Sequence, residues 1–196
     1  MLAEQDDVDY FGGVFKYTLT NVDKLSEPTR GIRFEAMADA LVETHASRDV
    51  QGLKGDLRMY VPLEFGHYRG VLAMRAAAQR RMDDIDPLTA AHIGGKEAMR
   101  GLRRDRFAGN SAAYGNFEVR SDLFSSHNGV LPFRLGLIAL ADVGRVWLDG
   151  AGNGAFWHHE FGGGLFISPL NMVVVQGTYA VSDDDQLFDL RLGFFF

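Results

Sequence analysis

Three adjacent side chains, His158, His159 and Glu160, are of the types that bind a transition metal. In a strand, neighbouring residues point to opposite faces, so His158 and His159 cannot converge on one ion unaided. Gly94-Gly95-Lys96 has the beginning of a phosphate cradle without the full spacing of a nucleotide loop. Asp183-Asp184-Asp185 could hold calcium weakly, but a solvated turn accounts for the same three residues. His45, His67, His92, His127, His158 and His159 offer general bases, yet none forms a recognisable set with a serine and an acid. Cysteine is absent, which excludes thiol catalysis and a disulfide framework. The expectation is a protein without catalytic residues, metal or cofactor.

The remaining chemistry is ionic. Arg100, Arg103, Arg104 and Arg106 cluster in a long connection, residues 82–109, that also carries four aspartates, a proline and Gly94-Gly95. A connection of that length in a compact protein is usually functional or disordered. A guanidinium can grip two carboxylates at once, which an ammonium does less well. Periodicity alone favours reading Arg100 as one of four solvated bases on a mobile loop.

The elements around this loop are strands. Phe188, Leu190 and Leu192, with Phe194 and Phe196, share one side of a period-two run, and Asp189, Arg191 and Gly193 share the other. Phe133, Leu135, Leu137, Ala139, Ala141 and Val143 alternate with a set that includes Arg134, Gly136, Asp142 and Gly144. Ile32, Phe34, Ala36, Ala38 and Ala40 oppose Arg33, Glu35, Met37 and Asp39. Leu53, Leu57, Met59, Val61 and Leu63 oppose Lys54, Asp56, Arg58, Tyr60 and Glu64. Asn116, Glu118, Arg120 and Asp122 form a polar face backed by Phe117, Val119 and Leu123. Strands that are apolar outside and charged inside, about ten residues long, suit a transmembrane β-barrel. A bilayer offers no hydrogen bonds, so such strands must pair and the sheet must close.

Composition is compatible with that class. The 196 residues carry 20 basic and 26 acidic side chains, a net charge of -6, with no basic stripe for nucleic acid. No apolar run reaches the length of a membrane helix. Nine strand-like runs fall near residues 8–20, 28–44, 51–64, 68–81, 110–124, 132–148, 156–168, 171–182 and 186–196. Bacterial single-chain barrels use even numbers of strands. The run at 8–20 fits least, because Gly12-Gly13 interrupts it and Asp6, Asp7 and Asp9 lead into it. The expected architecture is therefore all-β: an antiparallel barrel of about eight strands over residues 28–196, with one long inward-folding loop at 82–109 and residues 1–27 outside the wall. Trp147, Phe156, Trp157 and Tyr179 read as interfacial aromatics. No export signal precedes Met1, so Met1-Leu2-Ala3-Glu4 reads as the start of a processed or recombinant form.

Several segments resemble the BamA/TamA family of outer-membrane insertases. Ile93-Gly94-Gly95 leading to Met99-Arg100-Gly101-Leu102, and then Arg106-Phe107-Ala108-Gly109-Asn110, resembles that family's sixth extracellular loop with its Val/Leu-Arg-Gly-Phe/Tyr motif. Tyr114-Gly115-Asn116-Phe117-Glu118-Val119-Arg120 is similar to the strand that follows. Ala141-Asp142-Val143-Gly144-Arg145-Val146-Trp147 resembles the Asp-x-Gly-x-Val-Trp strand. Gly162-Gly163-Gly164-Leu165 and Gly193-Phe194-Phe195-Phe196 fit the remainder. The likeness runs from about residue 17 to Phe196. Leu102 departs from the aromatic of the motif.

The resemblance implies that Met99, Arg100 and Gly101 form a loop tether, with Arg100 reaching the lumen acids Glu118 and Asp142. It implies that Phe194 and Phe196 belong to a lipid-facing C-terminal signal read by the barrel-assembly machinery. It further implies a Gram-negative outer-membrane location, membrane lipids as neighbours, and assistance to protein or lipid insertion. The family has a larger barrel preceded by POTRA domains. This chain has room for about half of that wall, as a C-terminal half or a short member without POTRA domains. An eight-stranded lumen is filled by its own side chains, which leaves the outer wall or the seam for any activity. A homodimer sharing one larger wall is the alternative to closing alone. The competing functional class is a lipid-acting enzyme, or the membrane anchor of one.

Overall fold

The computed structural model describes residues 9–43, 49–66, 68–82, 89–95, 97–126, 132–150, 156–170 and 172–196. His45, His67, Asp83, Asp84, Asp86, Lys96 and His127, which entered the sequence reading, lie outside them, as do residues 1–8. Among the described residues there is no helix, and none long and apolar enough to cross a membrane.

The described residues form eleven strands in order: β1 (Tyr10–Val22), β2 (Gly31–Glu43), β3 (Asp49–Phe65), β4 (Tyr68–Arg81), β5 (Ala91–Ile93), β6 (Phe107–Gly109), β7 (Ser111–Ser126), β8 (Phe133–Trp147), β9 (His158–Pro169), β10 (Val175–Ser182) and β11 (Gln186–Leu192). Nine form one sheet in the order β1-β2-β3-β4-β7-β8-β9-β10-β11, with every neighbouring pair antiparallel. β5 and β6 make a small hairpin of their own inside the β4–β7 connection. The large sheet is open: β1 and β11 are its two edges and do not pair.

Side chains sort by face along the alternation. On β8, Ile138, Leu140 and Asp142 are buried, while Leu137 is exposed. On β11, Phe188, Leu190 and Leu192 are exposed and Asp189 is buried. The buried face is thus the charged one and the exposed face the apolar one, the reverse of a water-soluble sandwich. Register shifts between Asp122 and Phe124 in the β7–β8 ladder, a bulge that leaves Leu123 and Phe124 both exposed.

Two further expectations are corrected, beside closure of the barrel, which the open sheet does not show. The sheet has nine strands rather than eight, and the segment expected to lie outside the ladder supplies the ninth. β1 pairs with β2 from Tyr10↔Glu43 to Val22↔Gly31 without a break. Its outer positions Phe11, Phe15, Tyr17 and Leu19 are apolar and its inner positions include Lys16, Thr18 and Thr20, so it follows the common rule. Gly12 does not interrupt it. A Cβ at Gly12 would lie 2.1 Å from the Ala40 carbonyl oxygen, and glycine permits this close approach of backbones.

The second correction concerns Phe194 and Phe196. β11 ends at Leu192, and Gly193 takes a positive φ of 85° that turns the chain off its strand. Phe195 and Phe196 are buried against Tyr60 and Ala73, with Val22 packed beside them. Phe194 meets Phe166 edge-on at 5.2 Å. The terminal aromatics therefore cross the inner face toward β3 instead of continuing the lipid-facing row.

Candidate functional site

The described part of the β4–β7 connection folds onto the inner face of the sheet, and side chains from β4, β7 and β10 grip its backbone. Gln79 of β4 donates to the His92 carbonyl at 2.8 Å. Arg75 donates to the Glu97 carbonyl at 2.5 Å, and Asn116 of β7 donates to the Ala98 carbonyl at 2.7 Å. Ser182 of β10 donates to the Gly101 carbonyl at 3.3 Å. Arg75 is itself held by Asp56 of β3 through contacts of 2.8 and 2.5 Å, and Arg58 pairs with the same carboxylate at 2.9 Å. These contacts satisfy loop carbonyls that would otherwise be buried without partners.

Apolar packing completes the grip. Ile93, Ala98, Met99 and Leu102 join Ala77, Ala91, Ala112 and Tyr114 in one buried cluster. Gly144 makes room for Met99, since a Cβ there would sit 2.5 Å from the Met99 sulfur. Leu102, where the resemblance expects an aromatic, is fully buried in the same cluster.

Arg100 lies at the centre. Its Nε donates to Asp142 Oδ2 at 2.8 Å and its Nη2 to Asp142 Oδ1 at 2.6 Å, a two-pronged pair. Its Nη1 bonds Glu118. Arg100, Glu118 and Asp142 are all buried. Strand register explains the convergence: Asp142 stands opposite Asn116, the inward neighbour of Glu118 on β7. Glu118 also accepts from Arg120 Nε at 2.6 Å, and Arg120 Nη2 donates to the main-chain oxygen of Phe196 at 2.9 Å. The Arg100 guanidinium rests over the Phe195 ring at 4.4 Å, and that of Arg120 over Phe194 at 3.8 Å. The terminal aromatics and the loop arginine thus meet in one buried cluster.

Met99, Arg100, Gly101, Glu118 and Asp142 are brought together; Phe194 and Phe196 join them from a direction the alternation did not indicate. The other arginines of the loop behave differently. Arg103 pairs with Asp185 at 3.1 Å while remaining exposed, and Arg106 approaches the same carboxylate at 3.9 Å. The aspartate turn therefore serves the loop as counter-charge. His158 stacks on Phe107 at 3.9 Å and faces Asp184 at 3.3 Å, whereas His159 is exposed on the other face. Among the described residues no group of three metal-ligating side chains forms.

Arg75, Gln79, Asn116, Arg120 and Ser182 were not singled out as holding the loop. Their strand parity marks Asn116 and Arg120 as inward; the partners they meet are loop carbonyls and a main-chain oxygen, which no side-chain pattern encodes. No family model matches this chain, and no curated protein matches it.

Proposed function

We propose that this chain forms the wall of an outer-membrane β-barrel protein of the BamA/TamA type, non-enzymatic, that assists insertion of protein or lipid at its outer wall or at the seam bounded by β1 and β11. The observation that carries the reading is the pairing of an exposed apolar face with a buried charged face into which Arg100 ties the loop. An open edge of unpaired N–H and C=O groups is costly in lipid, so the seam is the part of the wall that most needs a partner. In this reading the loop and the terminal aromatics occupy the lumen, which carries no solute stream. Outer-membrane lipids contact Phe188, Leu190 and Leu192, and the assembly machinery acts during biogenesis.

Purified protein is expected to require detergent and to fold into lipid vesicles with a β-type circular dichroism spectrum. Monodisperse, detergent-free protein with the same spectrum would contradict the membrane reading.

A further inference from the structure

Glu160 is fully buried, and among the described residues no cation pairs with it. It stands directly opposite Asp142 in the β8–β9 ladder, on the same inward face. Its carboxyl lies close to the Asp142 carboxyl and to the main-chain amides of Arg100 and Gly101. None of these approaches has full hydrogen-bond geometry, so both of its oxygens lack a partner. Gly101 sits against it, since a Cβ at Gly101 would lie 3.0 Å from Glu160 Oε2.

The local charges do not balance if every group is ionised. Arg100 and Arg120 supply two cations, while Glu118, Asp142 and Glu160 supply three acids. Both guanidinium groups are already engaged: Arg100 with Asp142 and Glu118, Arg120 with Glu118 and the Phe196 oxygen. On β11, Arg191 pairs with Asp189 and stands opposite Gln176, whereas Glu160 stands opposite Ser182, on the order of 20 Å further along the ladder. On β10, Ser182, Ala180 and Thr178 carry no charge, and on β9 itself His158 is turned to Asp184. Two like charges directly across a buried ladder are destabilising, and such a pair holds on to one proton.

We infer that Asp142 and Glu160 form a carboxylic acid–carboxylate dyad that binds one proton beneath Gly101, making the seating of the Arg100 loop proton-linked. Glu160 is the protonated member, because Arg100 is bonded to Asp142 and, among the described residues, no cation is bonded to Glu160. Its O–H turns to the Asp142 carboxylate and removes the uncompensated negative charge. Loss of that proton places a second charge against Asp142 with no cation paired to it among the described residues. Deprotonation therefore favours release of the loop, which lets water reach Glu160. Glu160 acts as a positioning residue through Asp142 and Arg100.

This inference rests on the loop tether, and its test separates the two. Refolded protein in lipid vesicles is probed by hydrogen exchange of loop residues 97–109, corrected for intrinsic rates, between about pH 6 and about pH 9. In the unaltered protein, loop protection is expected to fall with rising pH by up to about tenfold per pH unit over part of that range. Glu160→Gln keeps the shape and an N–H donor for Asp142, so its loop is expected to stay protected and to lose the pH dependence. Infrared difference spectra should show a protonated carboxyl band that disappears in Glu160→Gln. Arg100→Ala should unseat the loop at every pH. Unchanged protection in Arg100→Ala overturns the tether itself. A loosened loop in Arg100→Ala, with no pH dependence in the parent protein and no carboxyl band, overturns the dyad alone. A Glu160→Gln loop loosened at all pH values would show that Glu160 is ionised, and overturns it as well.

Discussion

The inner faces of β7–β8 and of β1–β2 obey one pattern and have opposite surroundings. Asn116, Glu118 and Asp142 are covered by the loop and are nearly inaccessible, whereas Lys16 of β1 is half exposed, with its partner Glu35 at 3.2 Å. Both regions alternate apolar and charged residues, so the alternation alone does not determine whether an inner face is solid. What decides it is a segment that can be tied down. Beneath β7–β9 there is an arginine that can be shared between two carboxylates and a methionine seated over Gly144. Beneath β1 there is neither among the described residues, and the edge strand is exposed on both faces over most of its length.

The largest effect expected from this contrast is at Arg100. Arg100→Ala removes a cation shared by Glu118 and Asp142 and unseats the loop that covers them, and should cost on the order of 3 kcal/mol in denaturant unfolding in detergent. Lys16→Ala removes an exposed pair and should cost less than about 1 kcal/mol. Equal losses for the two variants would erase the distinction between the filled and unfilled sides.

Next in size is the loop's apolar anchor. Met99→Ala should lose about 2 to 5 kcal/mol, because the cavity is closed on all sides by Tyr114, Leu102 and the wall. Gly144→Ala should displace the Met99 sulfur, at a cost of about 1 to 3 kcal/mol, while Gly13→Ala on β1, where a Cβ would meet nothing within 4 Å, should be close to neutral. Thermal melts of the two glycine variants side by side measure how much tighter the inner face of β8 is than the outward face of the edge strand β1. A Gly13→Ala loss matching that of Gly144→Ala would show that the outer face of β1 is covered after all.

The outward rows were readable because they are short-range: a period of two over one strand needs no knowledge of its partners. Phe133 to Val143 and Phe188 to Leu192 are correct for that reason. The inner site was readable only where a motif supplied the partner, as for Arg100 with Glu118 and Asp142. Glu160 shows what register adds. In the linear chain it follows two histidines and resembles a metal ligand, and only the β8–β9 pairing reveals that it faces Asp142. The terminal aromatics failed for a different reason. Phe194 continues the parity of Leu192, and the turn at Gly193 leaves no mark in hydrophobicity. β1 was misjudged because acidic residues upstream of Tyr10 were counted against a strand that begins after them.

The smallest expected effect lies in the turn between β1 and β2, outside the wall. Slight burial raises the proton affinity of Asp23, but Thr29 Oγ1 donates to it at 2.5 Å, with further bonds from the Thr29 and Arg30 amides, and together these hold its pKa down to about 2. A lowered folded value means that the contribution is complete above the ordinary 3.8 and is lost as pH falls through about 2. Protection of the Thr29 and Arg30 amides, corrected for intrinsic exchange, should drop in that window and be low at all pH values in Asp23→Ala. Protection that persists below about pH 2 would remove Asp23 from the account.

The central claim, that the apolar face meets lipid and the charged face is sealed from bulk water by the loop, is tested most directly along β8. The chain has no native cysteine, so single labels are unambiguous. Leu137→Cys, Ile138→Cys, Ala139→Cys and Leu140→Cys, each spin-labelled in refolded vesicles, report access to oxygen dissolved in lipid and to a water-soluble paramagnet. The account predicts strong oxygen contact at Leu137 and Ala139, little at Ile138 and Leu140, and poor access of the aqueous reagent to all four. Free aqueous access at Leu137 and Ala139 would contradict it.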